Sequence, residues 1–213
     1  MPAVSELILL NRQRTRAVNL PLLRRIAHLL LRERFGLNAY ALGVHLVGAP
    51  EMSRMNRQFL NHDGCTDVLT FDHGGPAAPL PSRLGSRSRS PTGELPSCGN
   101  AETESTTGGL HGEIFICVDT ALAQARQFRS TWQSELVRYL VHGALHLRGY
   151  DDLQPIARRL MKREENRLVR LLSRQLSFKP LATSTRSGAT QSPGVNRRLF
   201  PLSKSARKPK VRS

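Results

Sequence analysis

His142 and His146 stand four residues apart in the segment HGALHLRGYDD, residues 142–152. On a helix that spacing puts both imidazoles on one face, one turn apart, where they can share a cation. Gly149 follows three residues after the second histidine and can take a positive φ, turning the chain sharply. The turn brings Asp152 back over the same face as a third ligand. Asp151 competes for that role, and otherwise serves as a neighbouring or capping group. Two imidazoles and one carboxylate leave a position open for water, which is the catalytic arrangement for zinc; a closed shell of four ligands is structural. Zinc held there lowers the pKa of its water toward neutrality. The expected cofactor is therefore one zinc ion per chain on His142, His146 and Asp152. The spacing HxxxHxxGxxD also matches a class of zinc peptidases, which use a Glu directly after the first His as general base. Gly143 occupies that position here and has no side chain for the task, which counts against a peptidase.

The elements that must carry these residues alternate in type. Leu20–Phe35 has helical apolar spacing, with Gly36 beyond it as a stop. Ala41–Val47 reads as a strand, and Pro50–Leu60 as a helix with Pro in its first turn. Asp67–Asp72 and Glu113–Val118 read as further strands. Asp119 is placed to cap the helix that follows, and Ser130 with Gln133 forms a capping box for the helix bearing the two histidines. That helix should end at Gly149, and Pro155–Leu176 should form a last, strongly charged amphipathic helix. The expected fold class is α/β (α+β): one compact domain, a small mixed sheet of three or four strands with helices packed on it.

Composition bounds the rest. The chain has 213 residues and a formal net charge of +16. No apolar stretch approaches the ~18–20 residues of a membrane span, and the N-terminus does not read as a signal peptide. Cys65, Cys98 and Cys117 are odd in number and widely spaced, so neither a disulfide framework nor a metal knuckle is expected, nor a disulfide-linked partner. A reducing, cytoplasmic location follows. Gly74 to about His111 is dense in Gly, Pro and Ser and has no sustained apolar period. It reads as a disordered insertion at about 74–111, because it cannot bury enough apolar surface to offset its chain entropy. Residues 179–213 hold nine Lys/Arg and no Asp/Glu, and read as a disordered basic tail beyond a domain over residues 1–178. Such a tail binds phosphate backbones without reading sequence.

The segment HGALHLRGYDD resembles the motif HGxLHLxGYDH of the YbeY family, metal-dependent endoribonucleases of bacterial ribosomal RNA maturation. Every fixed position matches except the last, where Asp152 replaces His; a carboxylate is an acceptable but harder zinc ligand. NRQFLNHDGCTDVLTF, residues 56–71, resembles the family's N-x-x-[YF]-R-x-x-D-x-x-TDVLSF through Asn56, Phe59, Asp63, Thr66, Asp67, Val68, Leu69 and Phe71. Leu60 stands where many members carry an Arg, and Arg57 or Arg148 is a candidate replacement. GEIFICVDTALAQA, residues 112–125, resembles the family's GDIxIxxxxAxxQA. The resemblance implies a compact α/β domain with the metal at the rim of a cleft over the sheet. It also implies hydrolysis of single-stranded RNA, maturation of the 3′ end of small-subunit ribosomal RNA, and ribosome quality control. The expected partners are then single-stranded ribosomal RNA and ribosomal subunits, with no membrane.

Thr66, Asp67 and Arg148 are candidate substrate-binding residues, the first two at a strand start that lines the cleft. His62, His73 and His111 lie near expected loops, Cys117 in a strand, and Trp132 at a helix start where packing is its expected role. Besides the zinc endoribonuclease, a non-catalytic RNA-binding assembly factor with a structural zinc fits the missing Arg at position 60. A zinc peptidase is the third reading.

Overall fold

The computed structural model describes residues 5–74, 109–182 and 210–212. Five strands form one mixed sheet in the order β1-β2-β4-β3-β5. They are β1 (Ser5–Asn11), β2 (Tyr40–Val47), β3 (Val68–Asp72), β4 (Leu110–Cys117) and the three-residue β5 (Lys210–Arg212). β1, β2 and β4 run parallel, with Val44 beside Leu9 on one side and Ile114 on the other. β3 is antiparallel to β4, and β5 to β3. The helices are α1 (Leu20–His28), α2 (Ala49–Leu60), α3 (Val118–Gln127), α4 (Trp132–Leu147) and α5 (Pro155–Gln175). The mixed α/β class expected from the sequence is the one observed.

Alternation along the strands sorts the core into two clusters. Leu42, Val44, Leu46, Val68, Ile114 and Ile116 face α1, α4 and α5 in the larger one. Val47, Leu69, Phe71, Phe115 and Cys117 face α2 through Met52 in the smaller one. α4 lies deepest: eleven of its sixteen residues are buried, so it is enclosed on several sides rather than amphipathic. Gly143 explains how it sits so close to the sheet. A Cβ there would fall 2.6 Å from Ile114 Cγ2 and 3.2 Å from Val68 Cγ1.

Several local expectations are corrected. β1 is a strand that the apolar run in the N-terminal segment did not by itself declare; Leu7 and Leu9 point into the core while Glu6 and Leu10 point away. The helix beginning at Leu20 changes to π geometry over Leu29–Arg34 before Gly36, at φ +65°, ends it. Asp119 lies inside the first turn of α3 rather than at its cap. It reaches across to accept the Ala49 N–H at 2.7 Å, capping α2, and accepts Thr15 Oγ1–H at 2.8 Å. Thr131, not Ser130, caps α4 by accepting the Ser134 N–H, and Ser130 donates its hydroxyl to Glu135 instead. Beyond α5, Lys179–Leu181 form a single 3₁₀ turn with Leu181 buried, and Val18 bridges Ala182. Residues 75–108 and 183–209, which hold most of the expected insertion and tail, lie outside the described residues. Among the described residues no helix is long and apolar enough to cross a membrane.

Candidate metal centre

α4 presents His142 and His146 from consecutive turns, and the chain then reverses within four residues. Gly149, at φ +87°, donates its N–H to the His146 carbonyl, and Tyr150 donates to the Leu145 carbonyl. These two bonds close a Schellman motif, which satisfies the last carbonyls of the helix and needs a residue with positive φ. The reversal turns the Tyr150 carbonyl back toward His146, whose Nδ1 lies 3.2 Å away. Asp151 Oδ1 accepts the Leu153 N–H at 3.0 Å and so shapes the next turn. Asp152 is the carboxylate that joins the two imidazoles: one ligand atom from each of His142, His146 and Asp152 falls within 4.8 Å of the others.

The tautomers follow from the partners of the two Nδ1 atoms. A carbonyl oxygen only accepts, so His146 Nδ1 carries the proton it gives to Tyr150. His142 Nδ1 lies 3.1 Å from Glu165 Oε2 and donates to that carboxylate. In neutral rings with Nδ1–H, each Nε2 carries a lone pair, and the two Nε2 atoms face each other at 3.1 Å. Two lone pairs at that distance repel unless a proton or cation lies between them. Two nitrogens on a tetrahedral zinc at ~2.0–2.1 Å stand about 3.3 Å apart. The donor set and this spacing fit a divalent ion such as zinc, for which Asp152 would be the third ligand.

Glu165 is the residue that sequence reasoning missed. It lies on α5, 3% exposed, between Met161 and Leu168 on the buried stripe of the helix. A single carboxylate in an apolar stripe is the signal that could have found it. Burial raises its pKa, but hydrogen bonds from His142, Lys162 and Arg138 outweigh burial and hold the carboxyl at about 2. Arg138 Nη1 donates to Glu165 Oε1 at 2.6 Å and to Asn166 Oδ1 at 2.8 Å, while Lys162 donates to the same Glu165 oxygen at 2.9 Å. Glu165 thus stays ionised and keeps His142 in the ligating tautomer, as carboxylates behind metal-bound histidines do.

The other candidate residues are placed as follows. Thr66 Oγ1 donates to Asn56 Oδ1 at 3.2 Å, and Asp67 Oδ1 accepts the Val68 N–H at 3.0 Å, so both shape the entry to β3. Arg148 packs 4.7 Å from the centre of the Phe35 ring and donates to the Phe35 carbonyl. Arg57 pairs with Asp63 at 3.0 Å, and Leu60 packs against the smaller core cluster. His62, His73 and His111 are exposed. His73 lies 3.4 Å from Glu113, which also pairs with His45. Trp132 is half-buried and packs on the larger core.

A family model described as Endoribonuclease YbeY matches residues 9–173. The chain belongs to the YbeY family of endoribonucleases. An Endoribonuclease YbeY of Salinibacter ruber is 33% identical over 129 residues, covering 60% of this chain and 68% of that protein. One from Anaeromyxobacter sp. is 33% identical over 177 residues, covering 81% of this chain and 78% of its own length. The solution structure of TM1509 from Thermotoga maritima shares the fold with a TM-score of 0.53 at 22% identity, covering 86% of this chain and all of that one. YbeY membership and the packing at Gly143 both weigh against the peptidase reading: a Glu at 143 would drive its Cβ into Ile114.

Proposed function

We propose that the protein is a zinc-dependent, single-strand-specific endoribonuclease that matures the 3′ end of small-subunit ribosomal RNA and serves ribosome quality control in the cytoplasm. The observation that carries the metal reading is the approach of the two Nε2 atoms to 3.1 Å, with Asp152 gathered beside them. Family membership supplies the substrate class.

His142, His146 and Asp152 hold the ion. Zinc in that position supplies a Lewis acid for a phosphoryl oxygen and an acidified water. Glu165 and the Tyr150 carbonyl take the Nδ1 protons of the two imidazoles in hydrogen bonds and so leave Nε2 as the nitrogen presented for ligation. Arg138 is engaged with Glu165 and Asn166, and Arg148 with Phe35. Arg158 donates its Nε–H to the Asp152 carbonyl at 2.8 Å, and Arg159 and Arg163 are exposed on the same first turns of α5. They neutralise backbone phosphates of a strand lying across the site and position it without reading its sequence. Thr66, Asp67 and Arg148 are proposed to contribute at the cleft wall, with ribosomal subunits as the assembled partner.

The test measures zinc content and RNA cleavage on the same preparations of wild type, His142→Ala, His146→Ala and Asp152→Ala, with a single-stranded and a duplex RNA. About one zinc per wild-type chain is expected, lost together with single-strand cleavage in the variants. Cleavage that survives in metal-free His146→Ala overturns metal catalysis. Zinc without cleavage in the wild type favours the assembly factor, for which the apolar packing of Leu60 speaks.

A further inference from the structure

Cys65 and Cys117 are 52 residues apart in the chain, yet their sulfurs lie 3.2 Å from each other. Cys117 is the last residue of β4 and caps α3, and it is fully buried; Cys65 is exposed in the loop before β3. The frame around them is fixed by bonds that do not involve sulfur. Cys117 N–H donates to the Asp67 carbonyl at 2.9 Å. Asn56 receives Thr66 Oγ1–H and donates to the Gly64 carbonyl at 2.8 Å, so the loop is pinned on both sides of Cys65. Thr120 Oγ1 stands 3.4 Å from Cys65 Sγ.

We propose that Cys65 and Cys117 are a redox pair that closes to a reversible intramolecular disulfide in response to a peroxide. Its geometry is independent of the metal centre. The Cys65 S–H donates to Cys117 and, against burial, draws the Cys117 thiol down to about 6, helped by Thr120 and the first N–H groups of α3. The bond that favours the Cys117 thiolate holds the proton on Cys65, whose own pKa is raised.

Only Cys65 meets solvent, so it meets the oxidant. Its proton passes to Cys117 along the sulfur–sulfur contact, and its sulfur attacks one peroxide oxygen. The O–O bond breaks, a sulfenic acid forms on Cys65, and hydroxide leaves and is protonated to water. Cys117 then gives up its proton and attacks the Cys65 sulfur; the S–S bond forms, the S–O bond breaks, and a second water leaves. Two thiols lose two electrons, and the peroxide gains them. A dithiol reductant reverses the bond.

Trypsin cannot cut between Ser90 and Arg126, so Cys98 and Cys117 share one tryptic peptide, while Cys65 falls in Gln58–Arg83. The experiment therefore uses full-length protein carrying Cys98→Ser, treated with graded hydrogen peroxide, alkylated, digested and weighed. The two peptides should appear joined, lighter by about 2 Da than their sum, and separate on dithiothreitol treatment. Cys65→Ser, an exposed change that leaves the core intact, should abolish the joined species and leave Cys117 free for alkylation after unfolding. Sulfinic or sulfonic acid on Cys65 with Cys117 still reduced overturns the proposal, as does a Cys65–Cys65 link between two chains.

Discussion

Glu165→Gln changes one oxygen to an amide nitrogen and almost nothing else in shape. Its consequence follows from the donors that surround the carboxylate. One Glu165 oxygen receives His142 Nδ1–H; the other receives Arg138 and Lys162. If the Gln oxygen faces His142, its NH₂ group faces two cations, donor against donor. Lys162, at 58% exposure, turns to water, and Arg138 keeps Asn166 and the nearby Glu135. If instead the Gln NH₂ faces His142, Nδ1 must accept and the ring proton moves to Nε2, where the ion should bind. Either arrangement weakens the site. Loss of such a partner costs ~10–100-fold in metal affinity, or about 1.4–2.7 kcal/mol. A competition titration against a chromophoric zinc chelator reads this directly, with Glu165→Ala alongside to separate charge loss from tautomer reversal. Wild-type affinity in Glu165→Gln would refute the claim that Glu165 selects the His142 tautomer.

Three further outcomes rest on single contacts. Gly143→Ala should lose ~1–3 kcal/mol in urea unfolding by overpacking against Ile114 and Val68; adding Ile114→Ala should cost less than the sum of the two changes. Asp119→Ala should lose ~1–2 kcal/mol, because it uncaps α2 from a distance and leaves Thr15 without its acceptor. Glu113 has its pKa lowered chiefly by the hydrogen bond with His45, against burial. Its contribution is complete above its ordinary value of 4.5 and is lost as pH falls through the lower folded value. The fall in unfolding free energy on acidification below pH 4.5 should therefore be shallower in Glu113→Gln; an unchanged slope would show that the pair carries no linkage.

What was readable in the chain depended on whether the information was local. His142, His146, Gly149 and Asp152 lie within eleven residues, and helix periodicity with one positive-φ turn suffices to bring them together. The strands β2, β3 and β4 declared themselves by apolar runs bounded by turn residues. Apart from the one-residue shift of the α4 cap and the π turn, what was missed involves partners distant in sequence. Asp119 has the residue type of a cap for its own helix, yet the Ala49 N–H it accepts is 70 residues away. Cys65 and Cys117 look unrelated until β3 and β4 pair. Glu165 lies 23 residues beyond His142 in a helix crowded with charge, where one more carboxylate stands out only against the apolar positions 161, 168 and 172.

Asp152 stands where the motif that this segment resembles ends in His, and that difference has an electrostatic consequence. Three neutral histidine ligands would leave a divalent ion with a net charge of two; two histidines and a carboxylate would leave one. A substrate phosphate held about 6 Å away, at an effective dielectric constant near 20, gains up to ~3 kcal/mol from a unit charge before salt screening. Arg158, bound to the Asp152 carbonyl, and the exposed Arg159 and Arg163 of the same helix turns add positive charge outside the ligand set. Their attraction is exposed to solvent and falls with ionic strength. Asp152→His should therefore retain zinc and raise kcat/KM for RNA. The gain should be larger at high salt than at low salt, because the new charge sits on the ion while the old attraction is screened. Paired kinetics of wild type and Asp152→His across salt decide the matter. Equal kcat/KM in two zinc-loaded enzymes would mean that the ion's net charge does not act on the scissile phosphate, and that Asp152 is a ligand and nothing more.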